Sequence, residues 1–167
     1  MQVRQGKVED VAAIMALVRR VVPLMGAEGN FQWDAEYPNV AVFKGDVDSG
    51  QLWLAEIDGE LAGVAAITMD QEPEYAEVGW DTAEPAIVVH RLAVDPACRG
   101  QGVAAALMHQ AETVARSRGI DVLRVDTNTK NLATQRLFPK LGYVKAGEIG
   151  LSFRPGLRFC CYEKRLT

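Results

Sequence analysis

Val89-His90-Arg91-Leu92-Ala93-Val94-Asp95-Pro96-Ala97-Cys98-Arg99-Gly100-Gln101-Gly102-Val103-Ala104 reads as a buried strand, a connection broken at Pro96, a glycine-interrupted turn and the start of a helix running from Ala105 to Gly119. The helix start is the informative part. Its first N–H groups have no internal partner and carry roughly half a positive charge, so the turn is suited to hold a phosphate. Gly100 and Gly102 let the backbone come close to such a ligand, and Arg99 adds a mobile positive charge at the same mouth. The helix that follows places Val103, Leu107, Ala111 and Val114 on one stripe.

Working outward, Ala86 to Val94 is a near-continuous apolar run, the pattern of a central strand covered on both faces. Asp121 to Asp126 is the next strand, and a strand, helix and strand of this length imply a parallel pair with a right-handed crossover. Upstream, Leu52 to Ile57 and Glu60 to Ile67 flank Asp58-Gly59, which predicts a tight hairpin. Val3 to Gln5 suits a short first strand. A helix begins at Lys7 and is expected to end near Pro23 to Gly26, and a shorter one covers Asn39 to Asp48. Asn131 to Leu141 is a further helix, followed by strands over Tyr143 to Phe153 and Leu157 to Lys164 about a turn at Arg154-Pro155-Gly156. Asp70 to Pro85 holds six acids and no Lys or Arg, and reads as a solvated loop. The sum is a single domain over residues 1–167 of α+β class. It is a three-layer α/β/α arrangement with a mixed sheet of about six or seven strands, about four helices and a central parallel β-α-β unit.

Composition narrows the function. A net charge of −4 with no basic stripe argues against nucleic acid as a partner. No apolar run approaches the roughly 18 residues that span a membrane, and the N-terminus lacks a signal-peptide core, so no membrane partner and a cytoplasmic location are expected. Two histidines and three scattered or vicinal cysteines, Cys98, Cys160 and Cys161, support neither a metal site nor a disulfide framework. The oligomeric state is open, a homodimer being a common outcome of symmetric assembly.

Gly100-Gln101-Gly102-Val103-Ala104-Ala105 also matches the dinucleotide pattern GxGxxA, with Asp126 near the position of a ribose-binding acid. That pattern, however, needs the strand to feed directly into the first glycine, and here Asp95 to Arg99 intervene. Arg99 to Ala104 instead resembles the Q/R-x-x-G-x-G/A pyrophosphate loop of the GCN5-related N-acetyltransferases (GNAT), preceded by the similar Leu92-Ala93-Val94-Asp95-Pro96. Asn131 to Tyr143 resembles the second signature of that family, N-x-x-A-x-x-L-Y-E-K-L-G-F. The resemblance covers essentially the whole chain. It implies the acyl-CoA N-acyltransferase fold and acetyl-CoA as acetyl donor. The pyrophosphate would lie on Arg99, Gly100, Gln101, Gly102, Val103 and Ala104, and the pantetheine arm along Leu92, Ala93 and Val94 with Asn131 and Phe138. The Val94 N–H would polarise the thioester carbonyl while an acceptor amine attacks directly.

The sequence departs from the family at two points. The tyrosine that commonly protonates the departing thiolate is Phe138 here, leaving Tyr143, Tyr75 or water as substitutes. The Glu that many members carry on the central strand is absent, leaving His90, whose intrinsic pKa lies near neutrality, and Glu84 at the strand entrance as candidate bases. Phe31, Trp33 and Tyr37, with Tyr75 and Trp80 of the acidic segment, are expected to cage the acceptor, a small cationic amine or an exposed amino group. A coenzyme A binding module or sensor without catalysis is the competing function, supported by Phe138.

Overall fold

Asp58 and Gly59 both take positive φ, 52° and 80°, as a two-residue hairpin turn requires, and join β2 (Leu52–Ile57) to β3 (Glu60–Thr68) in the computed structural model, which describes all of residues 1–167. The other strands are β1 (Gln2–Gln5), β4 (Ile87–Val94), β5 (Val122–Asn128), β6 (Val144–Leu151) and β7 (Arg154–Arg165). They form one sheet in the order β1-β2-β3-β4-β5-β7-β6. Only β4 and β5 are parallel, and the crossover between them is α3 (Val103–Ser117). The remaining helices are α1 (Val11–Ala27), α2 (Val40–Asp48) and α4 (Leu132–Lys140).

The helices divide between the two faces of the sheet. Leu107, Met108 and Ala111 of α3 pack with Ile67, Ile87, Val89, Leu123 and Val125, joined by Phe138 of α4. Ile14, Leu17 and Val18 of α1 pack with Phe43 of α2 and Leu52, Leu54 and Val64 of the hairpin. At about 25 cal/mol per Å² of apolar area removed from water, these two layers supply most of the force that holds the sheet flanked. Gly63 sets how close α3 can come. A Cβ there would lie 2.6 Å from Val103 Cγ1 and 3.0 Å from the Ala93 carbonyl oxygen. Gly63→Ala is therefore expected to cost about 1–3 kcal/mol, read as a lower urea midpoint at constant slope.

Three segments differ from expectation. α1 does not stop at Pro23 but continues to Ala27. Pro23 and Arg19, whose carbonyl would have received the missing N–H, are both exposed, so water can satisfy that oxygen. The last hairpin turns at Ser152-Phe153 rather than at Arg154 to Gly156, with Leu151 opposite Arg154. Pro155 is tolerated in β7 because pairing with β5 begins only at Phe159. Nor is the acidic segment a free loop. It folds into a 3-10 turn over Pro73–Val78, with Tyr75 fully buried against Val88, Val122 and Ile149.

The centre of the sheet carries a bulge. Ala66 lies opposite His90 and Val64 opposite Ala93, so three residues of β3 face four of β4, and Arg91 takes φ 53°. The extra residue reverses the phase of the strand. Ile87 and Val89 face α3 before the bulge, and Leu92 and Val94 face it afterwards, while Ala93 turns to the α1 side.

Candidate active site

β4 and β5 are paired only over Ile87–Val89 and Leu123–Val125. Beyond Val89 they separate, since β5 continues through Asn128 against β7 alone. A cleft of about 1350 Å³ opens in this gap. The Asp95 N–H donates to the Ala62 carbonyl at 2.8 Å, so strand alternation turns the Val94 N–H, and likewise the polar edge of Leu92, to the opposite side, where β5 has left. An extended chain of amides laid in the gap would meet these groups as an added strand.

One end of the cleft suits a phosphate. Gly102 precedes α3 with φ 77° and no side-chain cap, and Gly100 has φ 78°. The first helical bond runs from Ala106 N–H to the Gly102 carbonyl, so the N–H groups of Val103, Ala104 and Ala105 have no helical acceptor. Arg99, more than half exposed and only 3.8 Å from Glu28, lines this cleft with Lys130, Arg136 and Lys140. Gly100, Gly102, Val103 and Ala104 also line it, as do Leu92, Ala93, Val94, Asn131 and Phe138. Gln101 does not. Asn131 caps α4, its Oδ1 accepting the Thr134 N–H at 3.2 Å.

The other end gathers titratable groups from three segments. His90 Nε2 lies 2.8 Å from the Asp70 carbonyl oxygen. A carbonyl only accepts, so Nε2 carries the hydrogen and Nδ1 keeps its lone pair when the ring is neutral. That bond also pins the backbone leading to Glu72, which lines the cleft. Burial pushes the Glu72 carboxyl above the usual range, with Asp126 and Glu74 adding to the shift and His90 and Arg91 opposing it. Asp126 is likewise raised by burial, while the Tyr75 hydroxyl, donating at 2.6 Å to its Oδ2, favours its charged form. A carboxyl held closer to neutrality is a better match for moving a proton at physiological pH.

Several expected residues lie elsewhere. Glu84 is outside the cleft, before the start of β4 and so roughly 20 Å of strand from Val94. Its carboxylate meets Arg165 at 2.8 Å and Arg124 at 3.1 Å, and the Arg165 bond holds it below the usual range, the wrong direction for a base. Trp80 does not reach the cleft either: it packs edge-on to Tyr75, with the Arg124 guanidinium 5.0 Å from its ring centre. Tyr75 itself is sealed behind Asp126. Phe31 is 62 % exposed and outside, whereas Trp33 and Tyr37 do line the cleft. Glu74 accepts the Ser152 N–H at 3.2 Å, and neither it nor Glu77 nor Asp81 faces the cleft, so the acidic segment reaches the cleft only through Glu72. Phe138 is buried between Tyr143 and Tyr162, and the Tyr143 hydroxyl is buried outside the cleft, so neither replaces the missing tyrosine there. Cys98 lines the cleft as a free thiol with no base beside it.

The residues missed from sequence are Glu72, Asp126, Arg91, Arg124 and Arg154. Arg91, Arg124 and Asp126 left a local sign, each being a charge inside a largely apolar strand. Arg91 closes on Asp46 through Nε at 2.7 Å and Nη2 at 2.6 Å, tying the bulge to α2. Arg124, with its side chain wholly buried, bonds Glu163, Glu84, Gln71 and the Asp81 carbonyl, and so fastens both ends of the acidic segment. No group of three or more His, Cys, Asp or Glu side chains is placed to hold a metal ion, and no helix is long and apolar enough to cross a membrane.

A cleft with an uncapped helix start and basic side chains at one end and titratable groups at the other suits group transfer from a phosphate-bearing carrier, and that is the class of enzyme this arrangement fits. Comparison with known proteins specifies the group. The model of the acetyltransferase (GNAT) family matches residues 19–143. YesJ of Bacillus subtilis, an uncharacterised N-acetyltransferase, is 27% identical over 163 residues, covering 95% of this chain and 87% of its own. A GNAT acetyltransferase structure from Streptococcus agalactiae superposes with a TM-score of 0.84 at 27% identity, over 99% of this chain and 95% of that one. The yncA protein of Salmonella typhimurium, solved with its cofactor acetyl-CoA, shares the fold with a TM-score of 0.71 at 20% identity, over 99% of this chain and 94% of that one. The chain belongs to the GNAT family of N-acetyltransferases.

Proposed function

We propose that this enzyme transfers the acetyl group of acetyl-CoA to a primary amine by direct attack, with Glu72 as the proton acceptor. The observation that carries the reading is the separation of β4 from β5 directly beside an uncapped helix start. The cleft fits the donor: the free N–H groups of Val103, Ala104 and Ala105 with Arg99 would hold the pyrophosphate, and the free edge of Leu92 and Val94 the pantetheine amides. When bound, acetyl-CoA supplies an activated acyl carbon and a thiol leaving group. The Val94 N–H donates to a carbonyl oxygen held at that edge. Glu72 takes the proton of the acceptor ammonium, and His90 positions it by holding the Asp70 carbonyl. Trp33 and Tyr37 wall the acceptor side. A thiol of pKa about 8.5 leaves without a dedicated acid, which accommodates Phe138 at the tyrosine position. Three free cysteines fit the reducing interior of a cell, in keeping with a cytoplasmic location.

The test has two readouts. Acetyl-CoA is expected to raise the melting temperature, and thiol to be released on mixing with a panel of amines. Replacing Gly102 with Val puts a β-branched residue at φ 77° and is expected to abolish most of the melting shift. Binding with no thiol release across a broad panel would instead favour a coenzyme A binding module.

A further inference from the structure

Arg154 opens β7 and places its side chain against the cleft, with Cζ 5.1 Å from the centre of the Tyr37 ring. Its only acceptor in the protein is Asp34 Oδ2, 3.3 Å from Nη1, on a carboxylate that is half exposed. Nε and Nη2 are buried and find no acceptor among the protein's own atoms. A guanidinium has five donors, so one long contact leaves most of its capacity unused. Arg91, the other guanidinium near Tyr37, differs. Two of its nitrogens close on Asp46, and the third donates to the Tyr37 hydroxyl at 3.3 Å. Asp34 is also committed, since its Oδ1 accepts the N–H groups of Glu36 and Tyr37 at 2.8 and 2.9 Å. One arginine is thus consumed by the fold and the other is not.

We propose that Arg154 receives an anionic group of the acceptor, and that the acceptor is an amino acid type of compound, a primary amine bearing a carboxylate. The proposal rests on the N-acetyltransferase reading above. A planar carboxylate matches the guanidinium fork through two parallel bonds. Turning the Arg154 guanidinium into the cleft breaks one long contact, to a solvated Asp34, and shifts it over the Tyr37 ring, so its unpaired edge can meet a ligand. The same cleft carries Glu72 and His90, which suit the ammonium end. A neutral amide in place of the carboxylate offers one acceptor oxygen and sets its NH2 donor against the other arm of the Arg154 fork, leaving one buried donor unpaired, which is how such a site discriminates.

Thiol release from acetyl-CoA by the full chain is measured with a series of amino acids, each matched to its carboxamide and to the amine lacking the carboxyl group. The acids are expected to exceed their amides in kcat/KM by about 10-fold or more, the size of one charge-assisted hydrogen bond. Arg154→Gln is expected to bring that ratio near one, chiefly through KM for the acid. Arg154→Lys, which keeps the charge without the fork, should fall between. A melting shift with acetyl-CoA in both variants shows that they fold. A ratio near one in the wild-type chain, or one that survives in Arg154→Gln, overturns the proposal and leaves acetyl transfer standing. No thiol release with any amine overturns the N-acetyltransferase reading, and this proposal with it.

Discussion

Glu72→Gln is expected to lower kcat/KM at pH 7 by about 10²–10⁴-fold, the usual contribution of a positioned general base. Glutamine keeps the size and polarity of the side chain and removes only its capacity to take a proton. The melting shift with acetyl-CoA should be unchanged, because Glu72 stands at the other end of the cleft from the helix start. The pH dependence is the sharper measurement. Burial raises the Glu72 carboxyl, so the acid limb of the wild-type kcat/KM profile should lie above the ordinary carboxylate range of about 4.3. Glu72→Gln should lose that limb. The stability effect has the opposite sense. A carboxyl raised in the folded state contributes stability fully present below its unfolded pKa and lost as pH rises through the folded one. Once ionised, Glu72 therefore opposes folding, so the stability of the wild type relative to the glutamine variant should fall as pH rises from the acid range. Retention of kcat within a few-fold at every pH would move the base to His90 Nδ1.

Arg124→Met should destabilise the fold by about 1–3 kcal/mol, because it removes a wholly buried guanidinium that bonds two part-buried carboxylates, Gln71 and the Asp81 carbonyl. For a chain of this size that corresponds to a fall in melting temperature of roughly 5 °C. Methionine preserves much of the volume, so the loss reports the ionic network rather than a cavity. Gln71 loses its 2.6 Å bond outright and Glu163 its 2.9 Å bond, whereas Glu163 and Glu84 both keep Arg165, at 3.2 and 2.8 Å. Glu84→Gln should accordingly cost far less. Since Arg124 also bonds the Asp81 carbonyl, the segment carrying Glu72 loosens with it. Turnover of the folded variant should drop as well, at temperatures where far-ultraviolet circular dichroism still shows native structure. An Arg124→Met chain with wild-type stability would mean that the acidic segment is held by Tyr75 alone.

The parts of this protein legible in its sequence are those set by short-range chemistry. Asp58-Gly59 demanded a hairpin because few other residue pairs take positive φ twice, and the apolar run of β4 with the α3 stripe gave the parallel unit. Arg99 to Ala104 specified a phosphate end, since glycines and free N–H groups at a helix start act within one turn of chain. The end of the cleft that gathers titratable groups was not legible. His90, Glu72 and Asp126 come from a bulged strand, the residue before a 3-10 turn and the neighbouring strand, and nothing in the local pattern of any of them signals the others. Glu84 looked equally suitable in sequence, and only Arg124 and Arg165 reveal that its charge belongs to the ion-pair network. The sequence by itself determined which helix start is glycine-led and uncapped and which way the central strands run. Only the tertiary structure decided which carboxyl faces the cleft and which arginine there has donors to spare, because burial and pairing depend on residues far away in the chain, 51 positions for Tyr75 and Asp126 and 120 for Arg154 and Asp34.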